Sequence, residues 1–160
     1  MATAHLLHGF LGAGKTTFAK ALERRCNGVR FTHDEWMRAL YGEDPPEAEF
    51  ADAAARVHRL MEQVWRQCLV AGVDIILDTG LWSRAERDRI RAVVADVGAE
   101  AVLYQLHCDE ALAHERLTAR NAAPHTGLYI APETYALLRA RFEPLADDEL
   151  RIDIDTNGTV

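Results

Sequence analysis

Residues 9 to 16 read GFLGAGKT, and no other stretch of the chain restricts its fold as much. The pattern G-x-x-x-x-G-K-[ST] is met by Gly9, Gly14, Lys15 and Thr16. The apolar run HLLHGF leads into it, and KTTFAKALERRC leaves it with helical spacing, Phe18, Ala21 and Leu22 falling on one face. Strand, glycine bend and helix together form the context in which such a loop grips phosphate. Glycines at 9, 12 and 14 let the chain curl so that successive N–H groups point inward, and the helix N-terminus adds its positive dipole. Gly9, Gly12, Ala13, Gly14, Lys15, Thr16 and Thr17 are therefore the expected nucleotide-binding residues. Lys15 would reach the outer phosphates and the Thr16 hydroxyl would ligate Mg²⁺.

The remaining pattern alternates strands and helices. GVRFTHDEW offers a short strand ending near His33. From Glu47 to Ala71, Phe50, Ala54, Val57, Met61, Val64, Trp65 and Leu69 recur every three or four residues, which predicts a long amphipathic helix facing the core. GVDIILDTG is a continuous apolar run of the kind buried on both faces of a sheet. The helix SRAERDRIRAVVADVG follows it, with Ser83 as cap and Glu86 three residues on. A strand in AEAVLYQLHC, helices in DEALAHERLTARN (capped by Asp109) and PETYALLRARFEPL, and a strand in LRIDIDT complete the chain. This order predicts an α/β fold, an open five-stranded parallel sheet with helices on both faces, whose ligands sit at the carboxyl ends of the strands.

Composition removes several classes of function. The 160 residues suffice for one domain, and 49% apolar with 27% charged residues is ordinary for a globular protein. No basic segment leads into an apolar run and the most apolar stretch is broken by Asp74, so neither a signal peptide nor a spanning helix is expected. Cys26, Cys68 and Cys108 show no paired spacing, which points to a reducing, cytoplasmic setting without a disulfide framework or zinc motif. A net charge of -7 opposes broad attraction to nucleic acid. A local arginine cleft remains compatible with it.

GFLGAGKTT by itself resembles the loop of CobW-type metallochaperone GTPases. Those proteins read guanine with an N-K-x-D segment and carry a cysteine-rich metal motif; this chain has neither, which favours ATP. Further along, FTHDEWMR, the long helix after it, VDIILDTGLWSRAERDRIR and LHCDEALAHERLTARN together resemble the P-loop kinase family that contains the 5′-polynucleotide kinases, zeta toxins and chloramphenicol phosphotransferase. The resemblance implies one kinase-like domain over residues 1–160, with an arginine-bearing lid at approximately 116–131 and ATP and Mg²⁺ as cofactors.

The resemblance also implies roles residue by residue. Asp34 takes the place of the general base that approaches the acceptor hydroxyl; its alternative is a helix cap, and His33 is a second candidate base. Arg38 lies near the arginine that polynucleotide kinases keep for the substrate, though here it follows the Asp by four residues instead of three. Asp78, ending its strand, would hold Mg²⁺ with Thr16. Arg116 and Arg120, four apart on one helix, would cover the ATP phosphates and act with Lys15 in catalysis. Arg84 and Trp82 are further candidates on the acceptor side, with Arg84 and Arg87 otherwise solvating a helix face. Trp36 and Tyr41, like Trp82, are open to stacking or to packing. The expected activity is transfer of the γ-phosphoryl group to a hydroxyl of a small molecule such as a nucleoside, sugar or antibiotic. A 5′-hydroxyl polynucleotide end is a less favoured acceptor, and an ATP-binding regulatory or toxin-like module is the alternative of another class. No membrane partner is expected, and oligomeric state is not legible.

Overall fold

A computed structural model describes residues 1–124 and 127–158. Its elements are β1 (Thr3–His8), α1 (Lys15–Cys26), β2 (Val29–Thr32), α2 (His33–Tyr41), α3 (Glu47–Val70), β3 (Ile75–Gly80), α4 (Arg84–Asp96), β4 (Glu100–His107), α5 (Glu110–Ala122), α6 (Pro132–Arg139) and β5 (Ile152–Asp155). The five strands are all parallel in the order β2-β3-β1-β4-β5. The expected open parallel sheet is the observed one.

Strand alternation sorts the core into two layers. Ala4 and Leu6 of β1, Ile75 and Leu77 of β3 and Phe31 of β2 face α2, α3 and α4, where Met37, Val57, Met61, Trp65, Leu69, Ile90 and Val94 close the layer. Leu7 and Ile76 face the other way, onto Ala19 and Leu22 of α1. Burial on both faces is why these strands read as unbroken apolar runs. Along α3 the buried residues are Ala53, Val57, Met61, Trp65 and Leu69, one every fourth position. Phe50 and Val64, expected on the same face, sit beside this stripe and remain 37% exposed each.

Helix ends follow local chemistry in part. Ser83 caps α4 as expected, its side chain accepting from the Glu86 backbone N–H at 3.1 Å. Asp109 occupies the cap position of α5 without a side-chain capping bond. Thr32 takes the cap position of α2, so Asp34 stands inside the first turn and does not cap it.

One expectation is reversed. Arg87 does not solvate a helix face: it is fully buried, and its Nε and Nη2 donate to Glu149 Oε2 and Oε1, each at 2.8 Å. Its Nη1 also donates to the carbonyls of Leu81 and Glu143. The pair ties α4 to the segment before β5 and braces the turn after β3. The Arg87 guanidinium, helped by the Ala146 N–H and Arg91, holds the Glu149 carboxyl down to about 2, its hydrogen bond outweighing burial.

Candidate functional site

The sheet order sets the site. β1 and β3 are neighbours, with Leu6 opposite Leu77 and His8 opposite Gly80, so the loop after β1 emerges beside Asp78. β2 flanks β3 with Thr32 opposite Asp78, which brings the start of α2 to the same place. Three segments distant in sequence therefore meet at the carboxyl ends of three adjacent strands.

In the loop, Gly12 and Gly14 have φ of 79° and 86°. A Cβ at Gly12 would lie 2.2 Å from the Ala113 carbonyl oxygen, so both the left-handed conformation and the approach of α5 demand glycine there. The curl is fixed by the Ala13 N–H to Phe10 carbonyl bond at 3.2 Å, and from outside by the Thr156 hydroxyl, which donates to the Ala13 carbonyl at 2.7 Å. Lys15 Nζ donates to the Phe10 carbonyl at 2.9 Å. Burial lowers the Lys15 pKa, and the charges of Asp78 and Asp34 oppose that shift. Thr17 is exposed on the outer side of α1.

Asp78 is buried and bonded twice through Oδ2: the Thr16 hydroxyl donates at 2.7 Å and the Thr32 hydroxyl at 3.1 Å. Burial pushes its pKa up, against the pull of Lys15 and these two hydroxyls. Asp34, with its side chain 42% exposed, stands 3.8 Å through Oδ1 from His33 Nδ1. Partial burial works to raise its pKa, but His33, then Lys15 and Arg120, outweigh it and leave the pKa below the ordinary value. Arg120 lies in the field of Lys15 and Asp34, and its Nε and Nη2 are buried without a hydrogen-bond partner among the described residues. The structure thus gathers Lys15, Thr16, Asp34, Asp78 and Arg120. A carboxylate and a hydroxyl side by side form the hard oxygen donor set that suits Mg²⁺, and buried, unpartnered N–H groups beside Lys15 suit an anion.

The other candidates make their hydrogen bonds to groups outside this cluster. Arg116 turns to the end of β5, its Nη2 donating to the Thr156 carbonyl at 2.5 Å and the Gly158 carbonyl at 3.3 Å. Arg38 bridges to the lid segment through the Gly127 carbonyl at 2.9 Å and to Glu43 at 3.2 Å. Trp82 packs on the loop, its Nε1 donating to the Gly9 carbonyl at 3.3 Å and its ring tilted on Phe10. Arg84 is engaged at the surface by Asp88 and Asp148. Trp36 packs against the core beside Phe31, and Tyr41 is exposed. Residues 125 and 126 of the expected lid lie outside the described residues. On either side of them, Asn121 brackets Ile130 with two hydrogen bonds and Leu128 is buried in the core.

Sequence reasoning passed over three features. Thr32 and Thr156 brace Asp78 and the loop, and ordinary threonines carry no signal for such a role. Between α3, β3 and α4 lies a cavity of about 300 Å³, whose polar lining includes His58, Glu62, Thr79, Glu86 and Arg89. His58 stacks on His33 at 3.9 Å between ring centroids, which places the cavity next to Asp34. Burial, then the charges of His33 and Arg89, holds the His58 pKa down at about 4, so its ring is neutral. The periodic apolar pattern of α3 drew attention away from His58, which sits one residue past Val57 of the core stripe.

Comparison with known proteins agrees with this architecture. A family model described as AAA domain (AAA_33) matches residues 5–145. Among curated proteins none matches the chain by sequence. Among solved structures, a protein from Chloroflexus aurantiacus J-10-fl superposes with a TM-score of 0.78 at 19% identity, over 97% of this chain and 88% of that one. A gluconokinase from Sinorhizobium meliloti 1021 gives 0.67 at 16%, over 98% and 83%. Chaetomium thermophilum Kti12 in complex with ADP-AlF3 gives 0.71 at 16%, over 96% and 89%. At these identities the structures show a shared fold. The family match covers most of the chain, and the chain belongs to the AAA_33 family of P-loop proteins.

Proposed function

We propose that this AAA_33 protein is an ATP-dependent kinase, moving the γ-phosphoryl group of ATP to a hydroxyl of a small molecule. The observation that carries the reading is Arg120: a guanidinium beside Lys15 with two buried nitrogens unpartnered among the described residues calls for an anion between them. The amide groups of residues 9–17 would hold the phosphates, with Arg116 bordering them at the end of β5. Mg²⁺, held by Thr16 and Asp78, would supply charge neutralisation on the phosphate oxygens.

Asp34 would align the acceptor hydroxyl and take its proton late. Its lowered pKa makes it a weak base, which suffices because phosphoryl transfer passes through a loose transition state in which the nucleophile needs positioning more than early deprotonation. Arg120 and Lys15 would stabilise the charge spreading over the transferred group. The cavity beside His58 lies at the lower end of the roughly 300–1,000 Å³ usual for small-molecule sites. Its mixed carboxylate, guanidinium and imidazole lining fits a polyhydroxyl compound better than a strongly charged one. Arg38, Arg84 and Trp82 are assigned lesser parts, since each is held by other groups.

A radiolabelled-ATP transfer screen over sugars, nucleosides, aminoglycosides and 5′-hydroxyl oligonucleotides tests this reading. Label on one class of small molecule is the expected result. Label on the oligonucleotide alone would replace the acceptor by a polynucleotide end, and binding of ATP without transfer to anything would leave a regulatory module.

A further inference from the structure

At the opposite end of the sheet from the loop, three potential ligands converge from three elements. His5 comes from β1, Cys26 ends α1, and Asp74 precedes β3. One ligand atom from each lies within 4.8 Å of the others, and His5 Nε2 stands 4.0 Å from Asp74 Oδ2. His5 is 9% exposed, and its Nε2 is buried with no hydrogen-bond partner among the described residues. We propose that His5, Cys26 and Asp74 form a binding site for a borderline-soft divalent cation, Zn²⁺ in the first place, distinct from the nucleotide site.

The unpartnered nitrogen is the starting point. His5 Nδ1 lies 3.0 Å from the Tyr104 hydroxyl, and either of two tautomers satisfies that contact. If Nδ1–H donates to Tyr104, Nε2 presents a lone pair to a carboxylate. If the tyrosine hydroxyl donates instead, Nε2–H finds no acceptor within hydrogen-bond reach, since 4.0 Å is too long. A cation between Nε2 and Asp74 removes the conflict in the first tautomer.

The surroundings orient the ligands. The Thr3 N–H donates to Asp74 Oδ1 at 2.8 Å, leaving Oδ2 toward His5. Tyr104 fixes the His5 ring from behind, as outer partners of metal-bound histidines commonly do. Gly28 keeps room for the thiol: a Cβ there would lie 3.0 Å from Cys26 Sγ and 2.8 Å from the Asp74 carbonyl. That carbonyl in turn accepts from the Val29 N–H at 2.8 Å, tying the start of β2 to the residue before β3.

Nitrogen, sulfur and oxygen donors select against Mg²⁺ and Ca²⁺, which take oxygen ligands, and for Zn²⁺ or its neighbours. Three protein ligands leave one position for water. Binding converts the Cys26 thiol to thiolate and releases its proton to solvent, with no change of oxidation state. The bound ion would pin the C-terminus of α1 to β1 and β3. α1 begins at Lys15, and its 12 residues span about 18 Å, so the site would brace the helix that carries the phosphate loop without touching it.

Cobalt titration of the chelator-treated, full-length protein is the test. One equivalent of Co²⁺ should produce thiolate-to-cobalt charge-transfer absorption and tetrahedral ligand-field bands, both removed by Zn²⁺. Cys26→Ser should abolish the charge-transfer band, Asp74→Asn should weaken binding at least about tenfold, and Cys68→Ser and Cys108→Ser should leave it intact. On the unsubstituted protein, Zn²⁺ should slow alkylation of Cys26, mapped by mass spectrometry, whether or not the Cys26 variant folds. Absence of a thiolate band at millimolar cobalt, its persistence in Cys26→Ser, or alkylation of Cys26 unaffected by Zn²⁺ would overturn the proposal.

Discussion

Replacing Glu149 by Gln removes one charge from the buried pair with Arg87, and its effect follows from the pair's geometry. Both side chains are inaccessible, joined by two 2.8 Å hydrogen bonds, and Glu149 also accepts from Arg91 and from the Ala146 N–H. An arginine left buried without its counter-charge is destabilising by about 3–5 kcal/mol. The depression of the Glu149 pKa from 4.5 to about 2 gives a consistent figure, about 3–4 kcal/mol at roughly 1.4 kcal/mol per pH unit.

With the folded pKa below the unfolded one, this stabilisation is complete above pH 4.5 and disappears as pH falls toward 2. Urea melts of both proteins at neutral pH should therefore differ by about 1–3 M in midpoint, for a slope of about 1–3 kcal/mol per molar. The gap should narrow below pH 4.5. His58, held near a pKa of about 4 chiefly by burial, also weakens the fold as pH drops below 6.5, but it does so equally in both proteins and cancels in the difference. His8, also held near about 4, feels the Glu149 charge and is compared through its own titration in each protein. A variant within 1 kcal/mol of the parent at pH 7, or a gap constant down to pH 3, would refute this reasoning.

Other consequences are equally specific. Arg120→Ala should lower kcat by about 10³-fold or more, the scale of losing a transition-state arginine, and unchanged turnover would remove it from the mechanism. Asp34→Asn should lower kcat while nucleotide affinity stays within about threefold of the parent; lost affinity with turnover kept would contradict its role toward the acceptor. Gly12→Ala and Gly72→Ala both place a side chain at a φ of 79°, but only the first meets backbone, at 2.2 Å. Thermal melts should show Gly12→Ala as the more destabilising by about 1–3 kcal/mol, the usual penalty of overpacking.

The elements most legible from sequence were those whose physics is local. The phosphate loop, the doubly buried strands and the Ser83 cap each follow from residues within a few positions of one another. The turn after β3 did not: Arg87 and Glu149 are 62 residues apart, and an arginine at helical spacing reads as solvated until its partner is known. The brace from Thr156 to the Ala13 carbonyl crosses 143 residues and leaves no trace in any motif. Among the site candidates, Lys15, Thr16, Asp34 and Asp78 come together because the sheet order places the ends of β1, β2 and β3 side by side, and Arg120 joins them from α5, which follows β4 on the other side of β1. Arg116 and Arg120, assigned to one face by their spacing, diverge because each side chain follows a different neighbour, the end of β5 for Arg116 and the charged cleft for Arg120. The cavity beside His58 arises where two helices and a strand meet, which no single stretch of chain encodes.

Calorimetric titration of the magnesium complex of a non-hydrolysable ATP analogue into the parent protein and Lys15→Ala tests the central claim most directly. The account predicts saturable binding by the parent, weakened in the variant at least about tenfold, or about 1.4 kcal/mol, with the fold unchanged by circular dichroism. No binding by the parent, or equal affinity in both proteins, would contradict it.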